Sequence, residues 1–191
     1  THGLFPSLNG SYQTGNAALA LATAEQLTSL GFPVSSQSLQ NGLKSARWPG
    51  RMELVKLPGG TELLLDGAHN PAGALALADA LEAYTARRKI LLLGMMEDKD
   101  LHGVLDTLLQ QVQQVITVSP SQERAISAAA LADSCRTAGS PATAAGSIAA
   151  GLEAAQAAAN PGDLIVAAGS LFLVGELKAL LAGIPCEAVR G

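Results

Sequence analysis

Aromatic residues are scarce in this chain, at 3% of 191 residues, so any core must be mainly aliphatic and built from Leu and Ala. Positive charge is not in excess either. The formal net charge is −4, and no basic stripe exists to attract nucleic acid. Only two cysteines occur, Cys135 and Cys186. Their spacing does not suit a metal site, and a reducing compartment fits them. No apolar run reaches membrane-spanning length, and no signal peptide opens the chain. A Gly-x-Gly-x-x-Gly loop after a strand is missing, which argues against a dehydrogenase. What is present is hydrophobic character, 48% against 15% charged residues, enough for a folded core rather than disorder.

The pattern of apolar residues divides the chain. Residues 16–30 read as a helix with Asn16 as N-cap, stopped by Gly31, and Ser35 or Ser36 caps a second short helix through Leu43. Trp48-Pro49-Gly50 breaks the pattern and marks the candidate boundary, giving segments 1–48 and 49–191. Residues 52–57 and 61–66 flank Pro58-Gly59-Gly60 as a β-hairpin. Strands and helices then alternate. Helices are expected at 71–87, 100–110, 126–135, 147–159 and 171–181. Strands are expected at 89–93, 112–118 and 164–168, with a weak strand or loop at 142–145. This predicts an α/β, Rossmann-like, mostly parallel sheet with helices on both faces and one antiparallel edge strand from the hairpin. The start at Thr1 and the polar, Gly-rich residues 1–15 suggest a piece of a longer protein.

The run Leu63-Leu64-Leu65 ends abruptly in Asp66-Gly67-Ala68-His69-Asn70-Pro71. Asn70 and Pro71 are helix-start residues, so Asp66 and His69 lie between a strand's carboxyl end and a helix amino end. Ligands bind there in open α/β sheets, and helix amino ends favour anions. Two further junctions carry polar groups: Gly94 to Asp100, with Lys99, and Gly169-Ser170. If the strands are parallel, all three open on one sheet edge. The combined groups could bind a nucleotide and a small carboxylic acid. A nucleophile–base pair is not evident, so no hydrolase triad is read. Simpler roles exist for each residue. Asn16, Asn70 and Ser170 suit N-caps, Asp66 a turn, His69 and Trp48 packing, Lys99 a solvated surface, and Arg51 a surface ion pair.

Four ordered motifs resemble the folylpolyglutamate synthase/dihydrofolate synthase family of the Mur ligase superfamily. They are Trp48-Pro49-Gly50-Arg51-Met52-Glu53, Leu65-Asp66-Gly67-Ala68-His69-Asn70-Pro71, Gly94-Met95-Met96-Glu97-Asp98-Lys99-Asp100 and Gly169-Ser170-Leu171-Phe172-Leu173-Val174-Gly175-Glu176. Gln13 with Asn16-Ala17-Ala18-Leu19-Ala20 resembles the end of that family's ATPase domain, with Tyr12 in place of a usual His. Phe172 stands where many relatives have Tyr.

The resemblance implies a Mur ligase carboxyl-terminal domain over 49–191, preceded by the helical tail of the ATPase domain over 1–48. The phosphate loop belongs to an amino-terminal domain, and no Gly-Lys-Ser or Gly-Lys-Thr occurs here. This piece is therefore expected to be inactive or nearly so alone. The implied reaction joins L-glutamate to dihydropteroate or a folate with ATP, through an acyl phosphate. The implied ATP-binding residues are Asn16, Arg51, Asp66 and His69. Lys99 and Ser170 would hold glutamate, and His69 and Lys99 would be catalytic. Mg²⁺ would accompany ATP, its ligands mainly in the amino-terminal domain and none here. Trp48-Pro49-Gly50 would be the hinge, and Asp66→Ala would weaken ATP binding with little loss of fold. The expected partners are ATP, L-glutamate, dihydropteroate or folate and the protein's own phosphate-loop domain. A cytoplasmic monomer without nucleic-acid or membrane contacts is expected. Alternatives are another Mur-type amino-acid ligase and a non-catalytic α/β ligand-binding module.

Overall fold

The structure, a computed structural model, describes residues 7–10, 12–84 and 88–184. Two helices, α1 (Tyr12–Ser29) and α2 (Ser36–Ser45), come first. The hairpin strands β1 (Glu53–Lys56) and β2 (Glu62–Leu65) follow, joined by a tight turn in which the Leu57 N–H donates to the Thr61 carbonyl at 2.9 Å. Next come α3 (Pro71–Glu82), β3 (Lys89–Leu93), α4 (Leu101–Leu108), β4 (Gln114–Val118), α5 (Ala128–Thr137), β5 (Ala142–Gly146), α6 (Ile148–Ala158), β6 (Leu164–Ala168) and α7 (Leu171–Leu181).

The six strands form one sheet in the order β1-β2-β6-β3-β4-β5. Only the β1–β2 pair is antiparallel, and the remaining pairs are parallel. The strand alternation sorts the side chains into two layers. Leu64, Leu91, Leu93, Val166 and Ala168 pack with residues of α3, α4 and α5. Leu63, Leu65, Ile90, Leu92, Ile165 and Ala167 pack with α6 and α7. The central strands are apolar at nearly every position because both faces are covered.

α1 and α2 stand apart from these layers. Gln13 is the buried residue of α1, and α2 buries none. Leu19, Leu27, Leu30, Phe32 and Trp48 are all exposed. At the opposite margin, β5 follows Pro141 and is half exposed. Its pairing with β4 skips a residue, with Thr117 opposite Ala144 but Val118 opposite Gly146.

Several element ends differ from the sequence expectation. Asn16 lies inside α1, which begins at Tyr12, so Asn16 is not an N-cap; its amide donates to Gln13 Oε1 at 3.0 Å. α3 stops at Glu82, and residues 85–87 of the longer expected helix lie outside the described residues, as does Cys186. Asp100 caps α4 instead of belonging to it, accepting from the Gly103 N–H at 3.0 Å. Residues 142–146 are a true strand. Small Ala and Gly side chains at a margin leave no apolar signature, but the β4 backbone still completes the ladder.

Glu53 of β1 fastens the segment before the hairpin to α7. One carboxylate oxygen accepts from the Gly50 N–H at 2.7 Å, and the other pairs with Lys178. Burial pushes the Glu53 carboxyl up, but the Lys178 hydrogen bond, the Gly50 N–H and the Lys178 charge outweigh it and hold the carboxyl below its ordinary value. A carboxyl lowered by folding adds stability above its unfolded value and loses it as pH falls through the folded one. The urea midpoint of wild type should therefore exceed that of Glu53→Gln at neutral pH, and the gap should close in acid. A gap unchanged down to the folded value would contradict the pairing.

Candidate functional site

The carboxyl ends of β2, β6 and β3 are neighbours and point the same way, so the three polar junctions lie along one sheet edge. Backbone bonds bind them together. The Asp66 N–H donates to Ala167 at 3.0 Å, the Gly169 N–H to Ala68 at 2.7 Å and the Gly94 N–H to Ala168 at 3.3 Å. Gly169 has φ +107°, and a Cβ there would meet the Gly94 carbonyl oxygen at 2.7 Å and Met95 Cγ at 2.8 Å. Only glycine allows this close approach.

β6 enters between β2 and β3, so the chain leaves β2 for α3 on one face and β6 for α7 on the other. A crevice opens at such a switch point. The amino ends of α3, α4 and α7 border it, each closed by a side chain. Asn70 accepts from the Gly73 N–H at 2.7 Å, Asp100 from Gly103, and Ser170 Oγ from the Phe172 N–H at 3.0 Å. The N-cap readings of Asn70 and Ser170 thus hold geometrically. Ser170 is 2% exposed. With its oxygen accepting from Phe172, its hydroxyl proton remains available to donate.

A cavity of about 190 Å³ lies in this crevice, lined by His69, Met96, Lys99, Gly169, Ser170, Leu171 and Phe172. Three of the sequence-selected residues therefore share one enclosure. His69 Nδ1 lies 2.8 Å from the Gly67 carbonyl, so this nitrogen carries the donated proton. Lys99 Nζ pairs with Asp98 at 2.8 Å, and Arg124 lies 3.5 Å from the same carboxylate. The Lys99 hydrogen bond, opposed by slight desolvation and reinforced by both cationic charges, holds the Asp98 carboxyl below its ordinary value. Both members of the Lys99 pair are more than a third exposed, so water weakens it and a second carboxylate can compete for Lys99.

Asn16 and Arg51 belong to a different groove, of about 730 Å³, with Tyr12, Gln13, Leu39, Leu43 and Trp48. That volume suits a nucleotide-sized ligand. His69 is not part of it. Tyr12 sits near both Asp66 and Arg51. Burial and the Asp66 charge push its phenol up more than Arg51 and a Gln13 hydrogen bond pull it down, so it stays a proton donor at neutral pH.

Asp66 lines neither space and is 3% exposed. Oδ2 accepts from the Met52 N–H at 3.0 Å and Oδ1 from the Ala68 N–H at 2.8 Å. Burial pushes its carboxyl up, although the two amides and Arg51 oppose this. The sequence pattern did not reveal this depth, since Met52 is fourteen residues away. The expectation that Asp66→Ala leaves the fold nearly intact is therefore corrected, because two buried amides would lose their acceptor.

Gly50 is also buried. Its carbonyl accepts from Gly67 at 2.9 Å, and it abuts Val174 of α7. Within the expected hinge Trp48-Pro49-Gly50, Gly50 is therefore held on both sides, by Gly67 and by Val174. Sequence reasoning missed Met96 and Phe172 as cavity walls and Asp98 as the partner of Lys99. The adjacency of Asp98 and Lys99 was the available signal. Cys135 is buried, and burial pushes its thiol up to about 11, which leaves no reactive thiolate near neutral pH. No described helix is long and apolar enough to cross a membrane.

A family model described as Mur ligase, glutamate ligase domain, matches residues 50–171. A probable bifunctional folylpolyglutamate synthase/dihydropteroate synthase of Haloferax volcanii is 34% identical over 174 residues, covering 90% of this chain and 20% of that protein. The folylpolyglutamate synthase of Mycobacterium tuberculosis complexed with ADP aligns with TM-score 0.85 and 28% identity, over 96% of this chain and 43% of its own. A bifunctional folylpolyglutamate synthase/dihydrofolate synthase of Yersinia pestis, complexed with AMPPNP and Mn ion, aligns with TM-score 0.80 and 29% identity, over 95% of this chain and 42% of its own. The chain thus spans about a fifth of that curated relative and under half of each solved chain.

Proposed function

The chain belongs to the Mur ligase family, carrying its glutamate ligase domain, and on that premise we propose that it forms one wall of the catalytic cleft of an ATP-dependent folate ligase. The reaction joins L-glutamate to the carboxylate of dihydropteroate or a folate. The observation that carries this reading is the cavity shared by His69, Lys99 and Ser170, together with a second groove that holds Asn16 and Arg51.

A carboxylate repels an amine, so it must first become an acyl phosphate. Catalysis is then positioning and charge stabilisation. In this reading Asn16 and Arg51 meet the nucleotide, with Arg51 opposite its phosphates. Asp66 acts on the ribose side, holding Met52 and Ala68 in place beneath Arg51. Lys99 and the Ser170 hydroxyl receive glutamate carboxylates, helped by the helix amino ends around them. ATP brings Mg²⁺ to such a reaction and with it charge neutralisation at the phosphates. Among the described residues no three His, Cys, Asp or Glu side chains are grouped to hold an ion, so no step is assigned to the metal here. We assign residues 49–191 to the glutamate ligase domain and residues 1–48 to the end of an ATPase domain. The exposed Leu19, Leu27, Leu30 and Phe32 of the helical segment support this, as groups awaiting the remainder of such a domain.

The test is ligation by this chain joined to a phosphate-loop domain, given ATP, radiolabelled L-glutamate and either dihydropteroate or a reduced folate. Glutamylated product supports the reading. Ligation to a nucleotide-linked muropeptide but to neither pterin substrate overturns it. Lys99→Ala should raise the glutamate KM roughly tenfold or more, the scale of one charge-assisted hydrogen bond. The ATP KM should stay within about twofold. An equal rise in both would remove Lys99 from the glutamate site.

A further inference from the structure

The loop around His69 fixes more than its position. The Gly67 carbonyl can only accept, so the 2.8 Å contact places the imidazole proton on Nδ1. In the neutral ring Nε2 then carries a lone pair. The ring lines the cavity it shares with Lys99 and Ser170, and Nε2 makes no hydrogen bond among the described residues. Around it the chemistry is that of an amino acid's receptor. Lys99 offers an ammonium, Ser170 a hydroxyl proton, and α7 its amino end, all suited to carboxylates. Nothing else lining this cavity accepts a proton from a substrate ammonium.

From this we infer that His69 is the general base that deprotonates the incoming amino acid, acting through Nε2. This rests on the ligase reading above. The ammonium of glutamate gives one proton to Nε2 and becomes a neutral amine. Its lone pair attacks the carbonyl carbon of the acyl phosphate, and the carbonyl π pair moves to oxygen. When the carbonyl re-forms, the carbon–oxygen bond to phosphate breaks with its electron pair on the phosphate. The second amine proton goes to that phosphate, leaving an amide and hydrogen phosphate. His69 returns its proton to solvent. His69 therefore belongs to the aminolysis step, whereas Arg51 and Asn16, in the other groove, belong to the nucleotide step.

Two measurements test this. Long-range nitrogen–proton NMR on the 191-residue chain, with His69 assigned by its loss in His69→Asn, should show that the neutral form of the ring carries its proton on Nδ1. A neutral form protonated on Nε2 overturns the proposal. In the chain joined to its phosphate-loop domain, His69→Asn keeps a donor for the Gly67 carbonyl but has no base. It should lower kcat for ligation about 100-fold or more, the scale of general base catalysis. Scrambling of oxygen-18 between bridge and non-bridge positions of ATP, with folate present and glutamate absent, should stay within about threefold of wild type. Ligation within threefold of wild type overturns the role. So does a parallel fall in scrambling, which would make His69 a phosphate contact. A wild-type enzyme that neither scrambles nor ligates overturns the ligase reading itself, whatever tautomer the NMR finds.

Discussion

Asp66→Ala is expected to lower stability by about 2–6 kcal/mol and to abolish measurable ATP binding by the full-length enzyme. The first effect follows from two buried N–H groups, of Met52 and Ala68, left without an acceptor at roughly 1–3 kcal/mol each. The second follows because the Met52 amide anchors the residue next to Arg51, and Met52 holds φ 47°, a strained value for a residue with a side chain. Once its tether is gone, that segment is free to relax and Arg51 loses its place. Urea unfolding of the chain and calorimetric titration of ATP into the full-length enzyme measure the two effects separately. Unchanged values of both would refute the tether. The pH dependence has a definite sign. Folding raises the Asp66 carboxyl, so its contribution is complete below the unfolded value and declines as pH rises through the folded one. The stability gap between wild type and Asp66→Ala should therefore be wider in acid than at neutral pH, opposite to the Glu53 gap.

Gly50→Ala should be nearly as damaging, by about 2–4 kcal/mol. A methyl group at position 50 would lie 2.6 Å from Val174 Cγ1, and overpacking of this kind costs roughly 1–3 kcal/mol. The residue also has φ +74°, which adds about 1 kcal/mol for any residue with a Cβ. Gly50→Ala with Val174→Ala, measured against Val174→Ala alone, tests the mechanism, because in that background the clash is gone and the Gly50→Ala change costs only the backbone term. Most of the Gly50→Ala loss should vanish there. If Gly50→Ala costs as much there as in wild type, the contact with α7 is not the cause. If Arg51 meets the nucleotide as proposed, Gly50→Ala should also raise the ATP KM of the full-length enzyme, since Arg51 is the next residue.

The sheet was readable because its central strands are buried on both faces. Leu63-Leu64-Leu65 and Ile90-Leu91-Leu92-Leu93 have no polar alternation to confuse with a helix. β5 was less readable, since Ala142, Ala144 and Ala145 carry almost no hydrophobic contrast and the strand exists because β4 offers it a ladder. Asn16 misled for a local reason: it has the right side chain for a helix start, but Tyr12 and Gln13 begin the helix a turn earlier.

The site divides in the same way. His69, Lys99 and Ser170 were found together because each follows a strand, and parallel strands bring their ends to one edge. The burial of Asp66 was hidden, because it depends on a chain reversal that brings Met52 back over the end of β2. The pinning of Gly50 was hidden too, because Val174 is far along the sequence. The placing of His69 in the smaller cavity and not in the groove of Asn16 and Arg51 needed the side-chain geometry.

The skipped residue in the β4–β5 pairing has one more effect. An open margin of a sheet offers unpaired amides and carbonyls that another polypeptide can extend, the route by which β-rich proteins aggregate. Here Pro141 removes one donor at the start of that margin, and the irregularity before Gly146 kinks its end. What remains regular on this margin is three residues long, a short template for a further strand.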